Sequence, residues 1–390
     1  MEESLLVAYL ESEAFVKAST NATRLVTKLK SAVSRRELYE THQILRTIHF
    51  RFIGTRDKVF ALENLLYESA CYLLKFQEFV SGQDIALLFL EAAAKCLQYT
   101  RNEGGEQARL NLASSSSGHH AGNKTMDLNL CEKVANISIS LPDTEIGQSK
   151  FIAEALRALA PKLLNRELLH NVLANKFWQG KDFANSRYHY LHCVGLENAQ
   201  DIAKMLVEYQ TSNASMKEVD LFIAQFIFQF LCLQCPLDSP KPLNQKTPTP
   251  MRSTPTVSRK TRKLIKSVAE KLFTSYTLMH PSLGQVSIPF SSLPLLNFTY
   301  FIISIIDSDQ ESATFKMLCD TYKVTWNRDP NYQGYLTRLG TLYFNIIEQP
   351  QQRQGGFFNN ILLSLLEGPD DDEDESNQKG SGISPCDELD

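Results

Sequence analysis

Residues 36–53, RELYETHQILRTIHFRFI, decide the fold. Ile44, Leu45, Ile48 and Phe52 fall at i, i+1, i+4 and i+8, the spacing that places apolar side chains on one face of a helix. Tyr39, His42, Gln43 and Arg46 fall at i, i+3, i+4 and i+7 and make a polar stripe on the opposite side. Gly54 ends the segment. Working outward, Arg24–Ser34 predicts a helix before it. Asp57 to about Phe79 and Gln83 to about Tyr99 predict two after it, the first with Leu62, Leu65, Leu66 and Ala70 as its stripe. Short helices that reverse at tight breaks are the pattern of an all-α solenoid of antiparallel pairs, TPR-like in architecture. No strict sequence period recurs, so a plain helical bundle is the other all-α reading.

The pattern continues through Asp127–Ile139, Asp143–Leu159, Asn165–Gln179, Asp182–Cys193 and Asn198–Gln210. Val219–Leu233 is apolar on nearly every side and predicts a central buried helix. Arg259–Leu278, Leu293–Asp307, Gln310–Tyr322, Pro330–Ile347 and Gly356–Leu366 complete the helices. His280–Phe290, with Pro281, Gly284 and Pro289 around Val286 and Ile288, allows a short β-hairpin. The expected organisation has five parts. Residues 1–22 are a poorly capped, weakly ordered extension. Residues 23–210 form an N-terminal half, interrupted by a Gly/Ser/Asn-rich disordered insertion at 101–126. Residues 211–366 form a C-terminal half, interrupted by a Pro/Thr-rich disordered linker at 236–258. Residues 367–390 are an acidic disordered tail.

Composition narrows the function classes. The most apolar stretch, Leu293–Ile306, contains Asn297, Thr299 and Ser304 and falls short of the roughly 20 apolar residues a spanning helix needs. Met1–Ala18 carries four glutamates and no basic region, so no secretory signal is expected. The eight cysteines are scattered through the chain, most of them in apolar helical segments, as free thiols of a reducing cytosol would be. Charge is unevenly spread: Glu367–Asp390 has ten acidic residues and one lysine, whereas Arg24–Lys58 has nine basic and three acidic residues. That basic run suggests an electrostatic docking face for protein. It lacks the aromatic interleaving expected of a nucleic-acid binder.

Signals for catalysis are weak. Cys232 and Cys235 form a CxxC at the end of a buried helix, without the second pair that zinc binding would want. His119-His120 has no acidic or thiol companion. His189, His192 and Cys193 imitate a nucleophile with its base, the strongest argument for a hydrolase, yet no third group orients them. No phosphate-binding glycine loop and no HExxH occurs. The expectation is a protein with no catalytic residue, no metal site and no cofactor. Thr247, Thr249 and Thr254, each before a proline, are expected targets of proline-directed kinases.

Tyr39–Arg51 (Tyr-Glu-Thr-His-Gln-Ile-Leu-Arg-Thr-Ile-His-Phe-Arg) resembles the second-helix signature of the Golgi-to-ER traffic protein 4 family. Ser186–His192 (Ser-Arg-Tyr-His-Tyr-Leu-His), Met205–Tyr209 with Glu218–Cys232, Leu295–Phe298 and Gly355–Leu366 resemble further segments of that family in the same order. The final Glu388-Leu389-Asp390 is similar to the ending of its animal members. The resemblance implies an α-solenoid scaffold without catalytic activity that serves delivery of tail-anchored membrane proteins to the endoplasmic reticulum. Its N-terminal half would dock the targeting ATPase. Its C-terminal half would hold a ubiquitin-like-domain protein and, in animals, the C-terminal region of a BAG-domain scaffold. On matching positions it implies ATPase binding by Tyr39, His42, Gln43, Arg46 and Arg51. It also implies an acidic pair, Asp84 and Glu91, seven apart on one helix face; Asp84 reads equally as a helix N-cap. Leu295, Leu296 and Phe298, with Val286 and Ile288, would belong to the partner-holding half, though each also reads as core. The competing reading is a helical-repeat subunit of another regulatory complex. Such subunits normally end in a winged-helix and strand module, and this chain has no strand-rich C-terminal half.

Overall fold

The structure is a computed structural model in which residues 5–110, 118–163, 165–233, 257–283, 289–307 and 312–346 are described. These residues belong to one compact unit, Met1–Gln352; the second, Arg353–Asp390, lies outside them. Among the described residues every regular element is helical. In order they are α1 (Leu5–Glu11), α2 (Glu13–Ala18), α3 (Thr23–Arg35), α4 (Leu38–Phe52), α5 (Arg56–Lys75), α6 (Phe79–Leu110), α7 (Gly118–Ser140), α8 (Lys150–Leu159), α9 (Glu167–Gln179), α10 (Phe183–Tyr190), α11 (Ala199–Asn213), α12 (Val219–Leu233), α13 (Arg259–Met279), α14 (Pro294–Ile305), α15 (Ser312–Thr321), α16 (Lys323–Trp326) and α17 (Asn331–Phe344). The Gly356–Leu366 helix and the hairpin strands around Val286 and Ile288 lie outside the described residues.

One device recurs at the reversals. Helices α3, α5 and α9 each give way to the next helix through a residue in the left-handed region: Arg36 at φ 57°, Gln77 at φ 63° and Lys181 at φ 64°. In each case the following amide reaches back five residues, from Glu37 to Ala32 O (2.9 Å), from Glu78 to Leu73 O (3.1 Å) and from Asp182 to Phe177 O (2.9 Å). This is the Schellman closure, which satisfies carbonyls that the helix end would leave open. Glycine normally supplies the left-handed residue, because a Cβ there costs about 1–2 kcal/mol. Here three side-chain-bearing residues do it. Gly82, by contrast, is needed for contact: a Cβ on it would sit 2.6 Å from Leu74 Cδ2, so its absence lets α6 lie against α5.

Two sequence expectations are corrected. Residues 5–22 are not a weakly ordered extension: Leu6, Leu10 and Phe15 are fully buried, and Tyr9 Oη donates to Ala61 O on α5 at 2.8 Å. The break between α1 and α2 is capped after all, by the Ser12 hydroxyl accepting from Phe15 N. The 101–126 insertion is also narrower than its composition suggests. α6 continues to Leu110 and α7 begins at Gly118. At its base Arg101 Nη2 meets both carboxylate oxygens of the buried Asp127, at 2.8 and 2.9 Å. Of the 236–258 linker only the last two residues are described, Val257 in the core and Ser258 capping α13.

In the C-terminal half α12 is buried nearly all round, as its sequence predicts. Polar groups of its neighbours close its ends: Tyr276 Oη donates to Val219 O (2.9 Å), Tyr343 Oη to Leu231 O (2.9 Å) and Arg338 Nε to Cys232 O (3.2 Å). Leu295, Leu296 and Phe298 of α14 belong to this core.

Because the left-handed residue is strained, Gln77→Gly is expected to stabilise the chain by about 1 kcal/mol, and the β-branched Gln77→Val to destabilise it. Urea denaturation of the three proteins checks this; equal midpoints would mean the reversal carries no strain.

Candidate functional site

The two reversals either side of α5 make α4 and α6 run parallel, and their side chains mesh in register. His42 Nε2 lies 2.7 Å from Asp84 Oδ2, and one heptad further along both helices His49 Nε2 lies 3.3 Å from Glu91 Oε2. Gln43 Nε2 lies 3.3 Å from His42 Nδ1, the ring nitrogen that does not face Asp84. Arg46 Nη1 reaches Asp84 Oδ2 at 3.3 Å, and Lys95 Nζ reaches Glu91 Oε1 at 3.2 Å. Asp84 is therefore joined to the polar stripe through His42 and Arg46, and Glu91 to His49 and Lys95 one heptad on. Asp84 is not a helix cap, because α6 begins at Phe79 and Asp84 sits in its second turn. Burial lowers the pKa of His49, against the raising pull of Glu91, so that ring favours its neutral form.

The outward side of α4 carries a second pattern. Tyr39 is 75% exposed, Phe50 is 83% exposed, and Gln43 and Arg46 lie exposed between them. The four fall at i, i+4, i+7 and i+11 and line one ridge. His42 sits at the buried margin of that ridge. Arg51 turns to the other flank, where with Arg24 and Lys28 it lines a cavity of about 290 Å³ beside α3. So the structure joins Tyr39, Gln43 and Arg46 on one surface, sets His42 at its buried margin against the half-buried Asp84, leaves Glu91 exposed one heptad further along α6, and separates Arg51. Sequence reasoning missed Phe50 and His49. The signal for Phe50 was present, as the next step of the Tyr39 stripe. It was masked by Phe52 two residues on, which is core.

The C-terminal residues fare differently. Leu295, Leu296 and Phe298 are 0% exposed. Asn297 between them exchanges two hydrogen bonds with the Phe290 backbone, at 2.8 and 2.9 Å. They hold the core and cannot touch a docking partner, which corrects their reading as contact residues. Val286 and Ile288 lie outside the described residues.

The hydrolase imitation is also resolved. Cys193 is buried, its thiol donates to His189 O at 3.6 Å, and burial pushes its pKa up, so no thiolate is available. His189 and His192 instead pack with His170: His170 Nδ1 lies 3.0 Å from His189 Nδ1, and the His170 and His192 rings stack with centroids 4.5 Å apart. Cys232 is buried against Tyr335 O, and Cys235 lies outside the described residues.

Fold and site together define the class, an all-α helical-repeat protein with a polar and aromatic ridge on its N-terminal half. A family profile described as Golgi to ER traffic protein 4 matches residues 57–366. The Golgi to ER traffic protein 4 homolog of Homo sapiens is 31% identical over 361 residues, 92% of each chain. That of Oryzias latipes is 32% identical over 359 residues, again 92% of each. A crystal structure described as Get4 of C. therm. is similar with a TM-score of 0.56 at 16% identity, covering 89% of this chain and 96% of that one, a likeness of fold. This chain belongs to the Golgi to ER traffic protein 4 family. Asp84 and Glu91 lie inside the profile match, and α4 lies just before it. No helix among the described residues is long and apolar enough to cross a membrane.

The histidine cluster predicts a pH dependence. Burial pushes His170 down to about 3 and also depresses His189 and His192, with the other imidazoles adding to the effect on His170 and His189. Unfolded, each ring titrates near 6.5. Below that value the unfolded chain binds more protons, so this stability is fully present above about pH 6.5 and is lost as pH falls. The slope is at most about 1.4 kcal/mol per pH unit for each ring. Urea midpoints at pH 7 and pH 5 should differ, and the difference should shrink in His170→Gln. An unchanged difference in that variant would remove the cluster as the cause.

Proposed function

We propose that this protein is a non-catalytic adaptor in the delivery of tail-anchored proteins to the endoplasmic reticulum. It works in the cytosol and bridges the targeting ATPase to a client-capture module, formed by a ubiquitin-like-domain protein and, in animals, a BAG-domain scaffold. Membership of the Golgi to ER traffic protein 4 family supports the pathway. The observation that carries the docking assignment is the α4 ridge, with two largely exposed aromatics flanking an exposed arginine on a rigid helix. Aromatic residues and arginine are the side chains that dominate protein interfaces, because they bury large area with few rotors and make planar contacts to carboxylates. In this reading the ridge docks the ATPase through Tyr39, Gln43, Arg46 and Phe50, and Asp84 and Glu91 act from beside it on α6. Arg51 belongs to a basic flank that speeds encounter.

The charged groups of the site are already paired with each other. Such exposed pairs are worth about 0–1 kcal/mol, so an incoming acidic surface exchanges Arg46 away from Asp84 at little cost. His42 then keeps Asp84 satisfied while Arg46 is engaged. The ubiquitin-like and BAG-type partners are assigned to the C-terminal half on the family resemblance.

Titration of the ATPase should show Arg46→Ala and Phe50→Ala each weakening binding by about 1–3 kcal/mol, with helicity unchanged. Raising salt should slow association of the parent protein. Unaltered affinity in both variants, with the fold intact, would move the ATPase to another surface.

A further inference from the structure

A second polar site lies in the other half of the chain. A cavity of about 380 Å³ opens between α10, α11, α12 and the start of α17, with Arg187 in its wall. Arg187 is held in place without being neutralised. Its Nη2 donates to Gln229 Oε1, Gln229 Nε2 donates to Tyr335 Oη at 2.5 Å, and the guanidinium lies 5.9 Å from the centre of the Phe226 ring. Among the described residues no carboxylate comes within ion-pair distance of it. A guanidinium has five N–H donors in a planar fork, and Gln229 occupies one. Arg187 is half-buried, and a cation partly withdrawn from water gains by receiving an anionic partner.

The rest of the lining narrows what that anion is. Tyr209, Phe222 and Tyr332 supply aromatic surface, and Asn213 supplies an amide. Two further carboxylates line the cavity, each already accepting from a backbone amide: Glu218 Oε2 from Ser215 N at 3.1 Å, and Asp329 Oδ1 from Asn331 N at 2.8 Å. One cation and two carboxylates make a poor seat for a phosphate dianion. They suit a singly charged carboxylate that brings a base beside it. We propose that this cavity receives one aspartate or glutamate side chain of a partner polypeptide. Arg187 forks that carboxylate, apolar neighbours of the acid rest on the aromatic wall, and a flanking lysine or arginine meets Glu218 or Asp329. The site uses no residue of the α4 ridge, so either assignment stands if the other fails.

The test uses the full chain and two fluorescein-labelled heptapeptides. Each has a central acid-or-amide position between phenylalanine and leucine, with lysines outside them; one carries glutamate at the centre, the other glutamine. Fluorescence anisotropy should show the glutamate peptide binding about tenfold tighter, as a charge-assisted, two-pronged hydrogen bond provides. Arg187→Lys, which keeps the charge but loses the fork, should erase most of that preference. Asn213→Asp, an exposed change that leaves the core untouched, should weaken the glutamate peptide several-fold and spare the glutamine one. Circular dichroism confirms that each variant is folded. Equal affinity of the two peptides, absence of binding by both, or a preference that survives both substitutions overturns the proposal.

Discussion

The architecture of the N-terminal half depends on how its helices reverse. At Arg36 and Gln77 the chain turns through a single left-handed residue and closes with a backward amide bond, so the next helix starts within three residues. Such short reversals lay each helix antiparallel to the next. The turn at residues 53–55 and the one at Gln77, either side of α5, return α6 to the direction of α4. That parallel register is why residues one heptad apart on α4 meet residues one heptad apart on α6. Had the connection on either side of α5 been longer, the His42–Asp84 and His49–Glu91 contacts would have had no reason to coincide.

The meshing has a price in freedom and a return in order. Asp84 is shared by His42 and Arg46, and Glu91 by His49 and Lys95. Each carboxylate thus has one imidazole on its inner side, buried for His42 and half-buried for His49, and one cation on its outer side. The His42–Asp84 hydrogen bond ties the two helices, while the cations remain exchangeable. A surface built in this way presents charge without having to assemble it, and the ordering cost usually met on association is already met in the free protein.

Much of this was legible in the chain. The helix positions follow from apolar spacing, and the inward stripe of Ile44, Leu45, Ile48 and Phe52 is the one the structure buries. The buried α12 announced itself by being apolar all round. What sequence could not reveal was pairing across helices. Tyr39, His42, Gln43 and Arg46 form one stripe by angle, yet His42 is at its buried margin because α6 covers that side. The Arg51 position looks like part of the same basic run, and helical geometry turns it toward α3. Leu295, Leu296 and Phe298 matched a family segment, and a segment match does not separate a contact surface from the core behind it. The first 22 residues looked weak for lack of a familiar cap, whereas burial of Leu6, Leu10 and Phe15 supplies what capping alone does not. Arg187 stood inside the Ser186–His192 match, but a segment match says nothing of the cavity that the side chain lines.

The Arg101–Asp127 clamp has a consequence for how this chain can vary. It ties the two ends of the 101–126 stretch with a forked contact whose carboxylate is buried. The connection beyond it then joins two ends already tied at their base, and the entropy of closing such a connection rises only slowly with its length, by about 0.6 kcal/mol per doubling. Residues can accumulate or vanish there without disturbing the Arg101–Asp127 contact that seams α6 to α7. The same seam is a natural place to graft a reporter or a second domain, with the rest of the helices unaware of what has been inserted.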